Sequence, residues 1–339
     1  MPSNRLTELD ALRGIAALAV VIYHMVYRYH ELYGHQGLPV YWSYFGQYGV
    51  QLFFMISGFV IYWTVDRITV PREFVISRFA RLYPVYWVAV GLTFAVISLV
   101  GLAGREVSLL QALANLSMFH EYFAVVHVDG VYWTLTLELT FYAWILLLLV
   151  LRWQQYASLC LLILVCANGL LNLIEITWRP LHLLTLDGYG HFFLLGVLVF
   201  DWEQQRNRML CYMGIGAVLA ATVINNNILQ IAIYLTLIGL FVLAVRSRLK
   251  ALRQPVLVWL GAISYSLYLI HQNIGYVLLN QLPIAWHSVL KISIVTLGVI
   301  AVAYGLNRWI EVPSNRWCKN RLRARFVTHE KAVASDIAK

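Results

Sequence analysis

Residues 8–25 read ELDALRGIAALAVVIYHM, an apolar run that carries ionisable side chains. Because such groups are costly inside a bilayer, each is a functional candidate. On an α-helix Arg13 and His24 lie within about 20° of each other around the axis and about 16 Å apart along it, with Asp10 about 40° from His24. Taken singly, Arg13 could be a snorkelling anchor and His24 could bond a nearby carbonyl. Because they share one face, we instead favour a channel with Arg13 at its entrance and the imidazole of His24 deep inside it.

The rest of the chain shares this apolar character. Hydrophobic residues make up 61% and charged residues 12% of the 339 positions, and the mean hydropathy is +0.70, whereas soluble domains carry about 25% charged residues. Lipid permits only helices or closed barrels, and a spanning helix needs about twenty apolar residues. The sequence therefore predicts an all-α integral membrane protein with about ten transmembrane helices, at 11–28, 47–65, 82–101, 132–151, 157–175, 188–201, 211–225, 229–245, 257–280 and 288–309.

Loop charges set the predicted topology. With both termini in the cytoplasm, all of the 25 Lys and Arg except Arg28, Arg105, Arg179 and Lys291 fall on the cytoplasmic side, as the positive-inside rule requires. This distribution accounts for the net charge of +9 without a nucleic-acid partner. The polar segment 108–128 is predicted to be re-entrant or interfacial, because a full span there would move every later loop to the other side.

The sequence predicts two regions, a transmembrane domain over 1–313 and a basic cytoplasmic tail over 314–339. The four cysteines lack the spacing of metal ligands, so we expect no metal site.

A pair of arginines stands in SRFARLYP, residues 77–84, before the third predicted span. Arg78 and Arg81 share one helix face at a spacing of i, i+3. Two guanidinium groups there would suit a polyphosphate, although membrane anchoring by loop charge would also explain either one.

A carboxylate stands in VYWTLTLELTFY, residues 131–142. Glu138 is predicted at a depth similar to that of His24, so the two side chains could meet. A carboxylate bonded to an imidazole fixes its tautomer and raises its basicity. Either Glu138 or Asp10 is therefore expected to orient His24 as a general base.

Aromatic residues and a second histidine surround these groups. His271 stands in SYSLYLIHQN, residues 264–273, in the outer half of the ninth span. Together with Trp133 and Tyr268 it is predicted to line a substrate passage. The alternative for the two aromatic residues is an interfacial belt, a common role in membrane proteins.

Six segments together resemble the membrane acyltransferase-3 family, and they stand in that family's order. They are ALRGIAALAVVIYH (11–24), GVQLFFMISGFVIYW (49–63), SRFARLYPVYW (77–87), VYWTLTLELTFY (131–142), ISYSLYLIHQ (263–272) and NRWIEVPSNRW (307–317). One departure concerns the fourth-span motif, where the family more often has Ser and a pair of glutamates. This chain has Thr134, which keeps the hydroxyl, and Leu139, which removes the second carboxylate.

The resemblance implies an enzyme of the bacterial inner membrane that takes an acyl group, usually acetyl, from cytoplasmic acetyl-CoA or another acyl-CoA. The acceptor would be a hydroxyl of a carbohydrate or lipid-linked sugar near the outer face. His24 would be the catalytic histidine, Arg13, Arg78 and Arg81 would contact CoA phosphates, and Glu138 would be the acidic partner. Direct transfer and a covalent acyl-His24 intermediate both stay open, as does a homo-oligomer within the lipid.

A transporter or flippase for a polar solute is the alternative function. It would explain ten spans and buried charges equally well, but it favours internal inverted repeats. The two halves of this sequence show no convincing repeat.

Overall fold

The chain folds as a bundle of helices. The computed structural model describes residues 6–326 apart from positions 36 and 69, and this part contains no strand. Its α-helices are α1 Thr7–Tyr23, α2 Tyr29–Tyr33, α3 Gly49–Val65, α4 Pro71–Val100, α5 Leu109–Asn115, α6 Trp133–Val150, α7 Ala157–Leu173, α8 Arg179–Leu184, α9 Gly190–Glu203, α10 Arg208–Asn225, α11 Ile228–Val245, α12 Pro255–Gln281, α13 Ser288–Leu306 and α14 Val312–Phe326.

Seven helical stretches within the described residues are long and apolar enough to cross a membrane. They are Thr7–Tyr33, Tyr41–Val65, Pro71–Val100, Gly130–Val150, Gln154–Leu173, Ile228–Val245 and Ser288–Leu322. The predicted class, an all-α integral membrane protein, is therefore confirmed. The count of ten spans and the orientation of the termini stay predictions.

We call the end of the bundle at which α1 begins the near end, and the opposite one the far end.

The other three predicted spans, at 188–201, 211–225 and 257–280, are also helical and correspond to α9, α10 and α12. Helix α9 has 14 residues, which gives about 21 Å of rise, less than the roughly 30 Å of a hydrocarbon core. Nearly all of α9 is buried, since α3, α7 and α10 pack around it. Helix α12 has 27 residues and is buried along its middle, where polar side chains replace the apolar ones that lipid would demand.

Helix α4 begins eleven residues before the predicted third span at 82–101. Pro71 starts it, a position where proline's fixed φ suits a helix and its missing N–H costs nothing. The helix then continues through Pro84 without ending. The hydropathy of residues 71–81 is too low to reveal this extension. Its consequence is that Arg78 and Arg81 are held on a regular helix.

The segment between α4 and α6 does not cross the bundle. Hydroxyl and indole groups of α4 donate to its backbone: Tyr86 to Asn115 O at 2.7 Å and Trp87 to Leu116 O at 3.0 Å. These contacts lie about 20 Å back from the C-terminal end of α4, counted along the helix. The segment therefore runs back into the bundle, which favours the re-entrant alternative over the interfacial one.

Helix α1 is held at the centre by α3 and α12. A Cβ built on Gly14 would lie 2.5 Å from the Gly261 nitrogen, and one on Gly261 would lie 2.0 Å from the Asp10 carbonyl oxygen. Only glycine allows the two backbones to approach this closely. Small residues at helix crossings serve the same purpose in membrane proteins generally. This crossing fixes the face of α1 that carries Arg13 and His24.

Helix α14 runs across the predicted boundary between 313 and 314 and packs against α4. The first part of the predicted tail is therefore helical, and residues 327–339 lie outside the described residues.

Candidate active site

A polar cavity lies at the centre of the bundle between α1, α3, α6 and α12. Its volume is about 50 Å³, which is room for one or two water molecules at about 30 Å³ each. Four segments quoted above meet in it, although they are far apart in the chain. Its polar lining consists of Arg13, Ser57, Thr134, Glu138, Ser264, Tyr265 and Tyr268.

Glu138 is the carboxylate of this cavity. Its Oε1 accepts a hydrogen bond from the Ser57 hydroxyl at 2.8 Å and a second one from the Tyr142 hydroxyl. These two donors hold the carboxylate in one orientation. Because Arg13 lines the same small cavity, Glu138 also partly neutralises that guanidinium.

Three arginines gather near the Glu138 carboxylate. Arg13 is repelled by the like charge of Arg81 and attracted by the opposite charges of Glu138 and Asp10. The guanidinium of Arg78 lies 5.9 Å from the ring of Tyr142, whose hydroxyl bonds Glu138. Three guanidinium groups and two carboxylates are therefore close enough to interact at this end of the bundle. The structure thus brings Asp10, Arg13, Arg78 and Arg81 together and leaves the group with excess positive charge, which suits an anionic ligand.

His24 meets His271 across the α1–α12 crossing. Nδ1 of His24 lies 3.1 Å from Nε2 of His271, and the two rings pack edge to face with centroids 4.9 Å apart. His24 also opens a five-residue π-helical turn, His24–Arg28, that directly follows α1. Such turns are rare and frequently occur at functional sites.

The contacts of the two rings favour one tautomer of each neutral imidazole. Nδ1 of His271 lies 2.8 Å from the Tyr268 carbonyl oxygen, and Nδ1 of His24 lies 2.9 Å from that of Val20. A carbonyl only accepts, so in the neutral rings each Nδ1 carries the hydrogen. The single hydrogen on Nδ1 of His24 is then shared between the Val20 carbonyl oxygen and Nε2 of His271. Nε2 of His24 is left with a free lone pair, as a general base requires.

The partner of His24 differs from the one predicted. The sequence suggested Glu138 or Asp10, but Glu138 bonds Ser57 and Tyr142, and it is His271 that contacts His24. His24 and Glu138 are predicted at a similar depth, but their side chains do not face each other across the helices. His271, predicted to bind substrate, is fully buried and contacts Nδ1 of His24.

The two aromatic residues predicted to line a passage occupy different positions. Tyr268 faces the central cavity, and its hydroxyl lies 3.0 Å from the Thr134 hydroxyl. Trp133 stands at the start of α6 at the far end, in a cluster with the rings of Phe54 and Tyr189. Their contact with substrate stays a prediction.

Sequence reasoning missed three polar residues of the site. Ser57 and Tyr142 hold Glu138, and Glu311 accepts from the Ser266 hydroxyl at 2.7 Å and the Asn307 amide at 2.9 Å. Glu311 ends a second π-helical turn, Asn307–Glu311. All three stand in the quoted segments, but as hydroxyls or as a carboxylate beside a basic tail they carried no signal of burial.

The described part of the chain contains no group of three or more His, Cys, Asp or Glu side chains that could hold a metal ion. The ionisable groups of the site are instead arranged in pairs. Glu138 faces arginine, and His24 faces a second imidazole.

The fold and the site define a membrane-embedded helical protein with a cationic near end and an imidazole pair deeper in the bundle. The family model described as acyltransferase domain matches residues 6–308. The chain belongs to this family, the membrane acyltransferase-3 family, as the resemblance predicted.

Curated relatives come from rhizobia. The chain is 25% identical over 371 aligned positions to nodulation protein 10 of Rhizobium leguminosarum bv. viciae, covering 98% of each chain. It is 40% identical over 107 residues to exopolysaccharide production protein ExoZ of Rhizobium meliloti (strain 1021), covering 29% of this chain and 32% of that protein. Protein 2 in picA locus of Rhizobium radiobacter is 34% identical over 99 residues, 28% of this chain and 47% of that one. No solved structure matches the chain.

Proposed function

We propose that the protein is a transmembrane O-acetyltransferase. It takes the acetyl group of acetyl-CoA from the cytoplasm, at the near end, and places it on a carbohydrate hydroxyl at the far end, in the bacterial inner membrane. The observation that carries this proposal is the His24–His271 pair, because its hydrogen bonds leave Nε2 of His24 free to accept a proton. The name of ExoZ, which refers to exopolysaccharide production, supports a carbohydrate acceptor.

Arginines at the near end would bind the donor, acetyl-CoA. CoA carries phosphates, and guanidinium groups bind phosphate through paired hydrogen bonds. Arg13, Arg78 and Arg81 supply these groups, and helix geometry puts His24 about 16 Å further along α1 than Arg13, comparable to an extended pantetheine arm. The central cavity is smaller than such an arm, so donor binding displaces side chains such as Tyr268 that line it.

The reaction then needs one base. Nε2 of His24 takes the proton of the acceptor hydroxyl while the hydroxyl oxygen attacks the thioester carbonyl carbon. The C–O ester bond forms and the C–S bond breaks. The CoA sulfur leaves as a thiolate and takes up the proton that His24 removed. His271 holds the imidazole in the required tautomer throughout, as the orienting group does in other histidine-based sites.

Purified protein with acetyl-CoA and oligosaccharide acceptor tests the proposal. Release of CoA, followed with a thiol reagent, should fall by about 10²-fold or more in His24→Ala, the range that a general base supplies. The exposed His30 gives a matched control, since His30→Ala should keep full activity. Equal rates in His24→Ala and wild type would contradict the proposal, and solute uptake without acyl-CoA would favour a transporter.

A further inference from the structure

A second cavity opens at the far end, away from the arginines. It has a volume of about 540 Å³ and lies between the far ends of α7, α9 and α11. This volume falls within the range of about 300–1,000 Å³ typical of small-molecule sites. We propose that this cavity is a binding site for a neutral glycosyl unit, the acceptor of the acyl group, a refinement that rests on the proposed function.

The lining has the chemistry of a sugar site. Side-chain amides come from Asn168, Asn172 and Asn226, and flat rings from Tyr189 and Tyr234. An amide offers donors and an acceptor together, which a hydroxyl-rich ligand requires, and an aromatic ring offers an apolar face with a polar handle. Amides on membrane helices are expensive when they face lipid. Their gathering around one cavity indicates a polar occupant.

The amides are already held in position. Asn168 is 5% exposed, and its Nδ2 donates to the Thr185 hydroxyl at 2.9 Å while its Oδ1 accepts from Asn172 Nδ2 at 3.2 Å. Tyr234 stands on the other wall of the cavity, beside the buried side chain of Gln51.

Charge argues for a neutral ligand. The one carboxylate in the lining is Asp187, and it accepts from Arg179 at 2.6 Å. Arg179 also pairs with Glu121 of the re-entrant segment. Among the described residues, the lining of the cavity contains no lysine or arginine, so it lacks the cations that would hold a phosphate or a uronate. Charge thus separates the two substrates, with the anionic donor at the near end and an uncharged acceptor at the far end.

An aromatic wall joins this cavity to the central one. Tyr189 lines the far cavity, and its ring lies 5.5 Å from Phe54, which lines the central cavity, and 5.0 Å from Trp133. A ligand in the far cavity therefore lies one side-chain layer from the central cavity. Movement of Tyr189 would open the far cavity to the central one, where Tyr268 lies beside His271, the partner of His24.

The test separates acceptor binding from donor chemistry. Oligosaccharides released by mild acid from the surface polysaccharide of cells lacking this protein serve as the probe, and saturation-transfer NMR measures their binding to purified protein. We expect Asn226→Ala and Tyr234→Phe each to weaken binding about tenfold, as the loss of one buried hydrogen bond implies. Acetyl-CoA affinity should stay unchanged in both variants.

Matched substitutions outside the cavity control for folding. Asn320→Ala, on the exposed side of α14, and Tyr304→Phe, on α13, should bind the oligosaccharides as wild type does. Absence of binding to the wild type would overturn the proposal, as would binding that Asn226→Ala and Tyr234→Phe leave unchanged. Because no acyl transfer is measured, binding that persists in His24→Ala supports the cavity even if the catalytic role of His24 fails.

Discussion

At the residue scale, the account depends on the imidazole of His24. Its place on the same helix face as Arg13 could be predicted from the sequence, because the two residues are eleven positions apart. Its partner could not, since the facing of two helices is decided by close backbone approach at Gly14 and Gly261. The same limit explains why Ser57 and Tyr142 were missed as the groups that hold Glu138.

His271 should be needed for turnover rather than for donor binding. In His271→Leu the lone pair that orients His24 is lost, and we expect kcat to fall by about 10²-fold, a smaller loss than removal of a charged orienting group causes. His271→Asn, which keeps an amide oxygen as acceptor, should recover part of that loss. Steady-state kinetics with acetyl-CoA varied give both constants. Unchanged kcat in His271→Leu would contradict the orienting role of His271.

Arg81 should act on binding. Arg81→Ala removes a charge-assisted contact to phosphate, and such a contact contributes about 1.5–3 kcal/mol, so acetyl-CoA should bind roughly 10- to 100-fold more weakly. Turnover of the saturated complex should change less. Calorimetric titration with CoA measures the affinity, and the exposed Arg248→Ala is the matched control. Unchanged affinity together with lost turnover would show that the phosphate role is wrong.

At the scale of elements, apolar length predicted where helices occur but not their full extent. Helix α4 starts at Pro71, where the sequence is too polar to mark a span. The π-helical turns at His24–Arg28 and Asn307–Glu311 were also unpredicted, because one extra residue in a turn leaves no trace in hydrophobic periodicity. Each turn contains an ionisable group, His24 in the first and Glu311 in the second, that bonds a residue of α12.

The crossing of α1 and α12 should be intolerant of any side chain. In Gly261→Ala the new methyl would overlap the Asp10 carbonyl at 2.0 Å, and we expect a loss of about 1–3 kcal/mol from such overpacking. Gly298 has open space around it, so Gly298→Ala should be neutral or stabilising through its helix propensity. Thermal unfolding in detergent compares the two. Equal melting temperatures would contradict the close approach.

At the scale of the whole molecule, charge distribution predicted that segment 108–128 does not span. What it could not predict is the packing of this segment's polar groups. His120 Nε2 lies 2.7 Å from His127 Nδ1, and His127 faces Glu121, which pairs with Arg179. The contact between Glu121 and Arg179 joins residues 58 positions apart, so it forms only when the chain assembles around the far end.

This histidine pair should make stability depend on pH. Burial, and then the charge of His127, lower the pKa of His120 to about 4, and burial lowers the pKa of His127. Between pH 4 and about 6.5 the unfolded chain therefore binds more protons than the folded one, so stability falls as pH decreases through that window. The melting temperature should drop less in His120→Gln than in wild type between pH 7.5 and 5. An equal drop would exclude this pair as the cause.

The most direct test of the account uses sealed proteoliposomes with acetyl-CoA enclosed and a membrane-impermeant oligosaccharide acceptor outside. Donor and acceptor can then meet only inside the protein. The donor would enter at the arginines, and the acceptor would reach His24 from the far cavity. We predict acetylated oligosaccharide outside the vesicles with wild-type protein and none above background with His24→Ala. Product that forms only when donor and acceptor share a compartment, or equally with His24→Ala, would contradict transfer across the bilayer at this histidine.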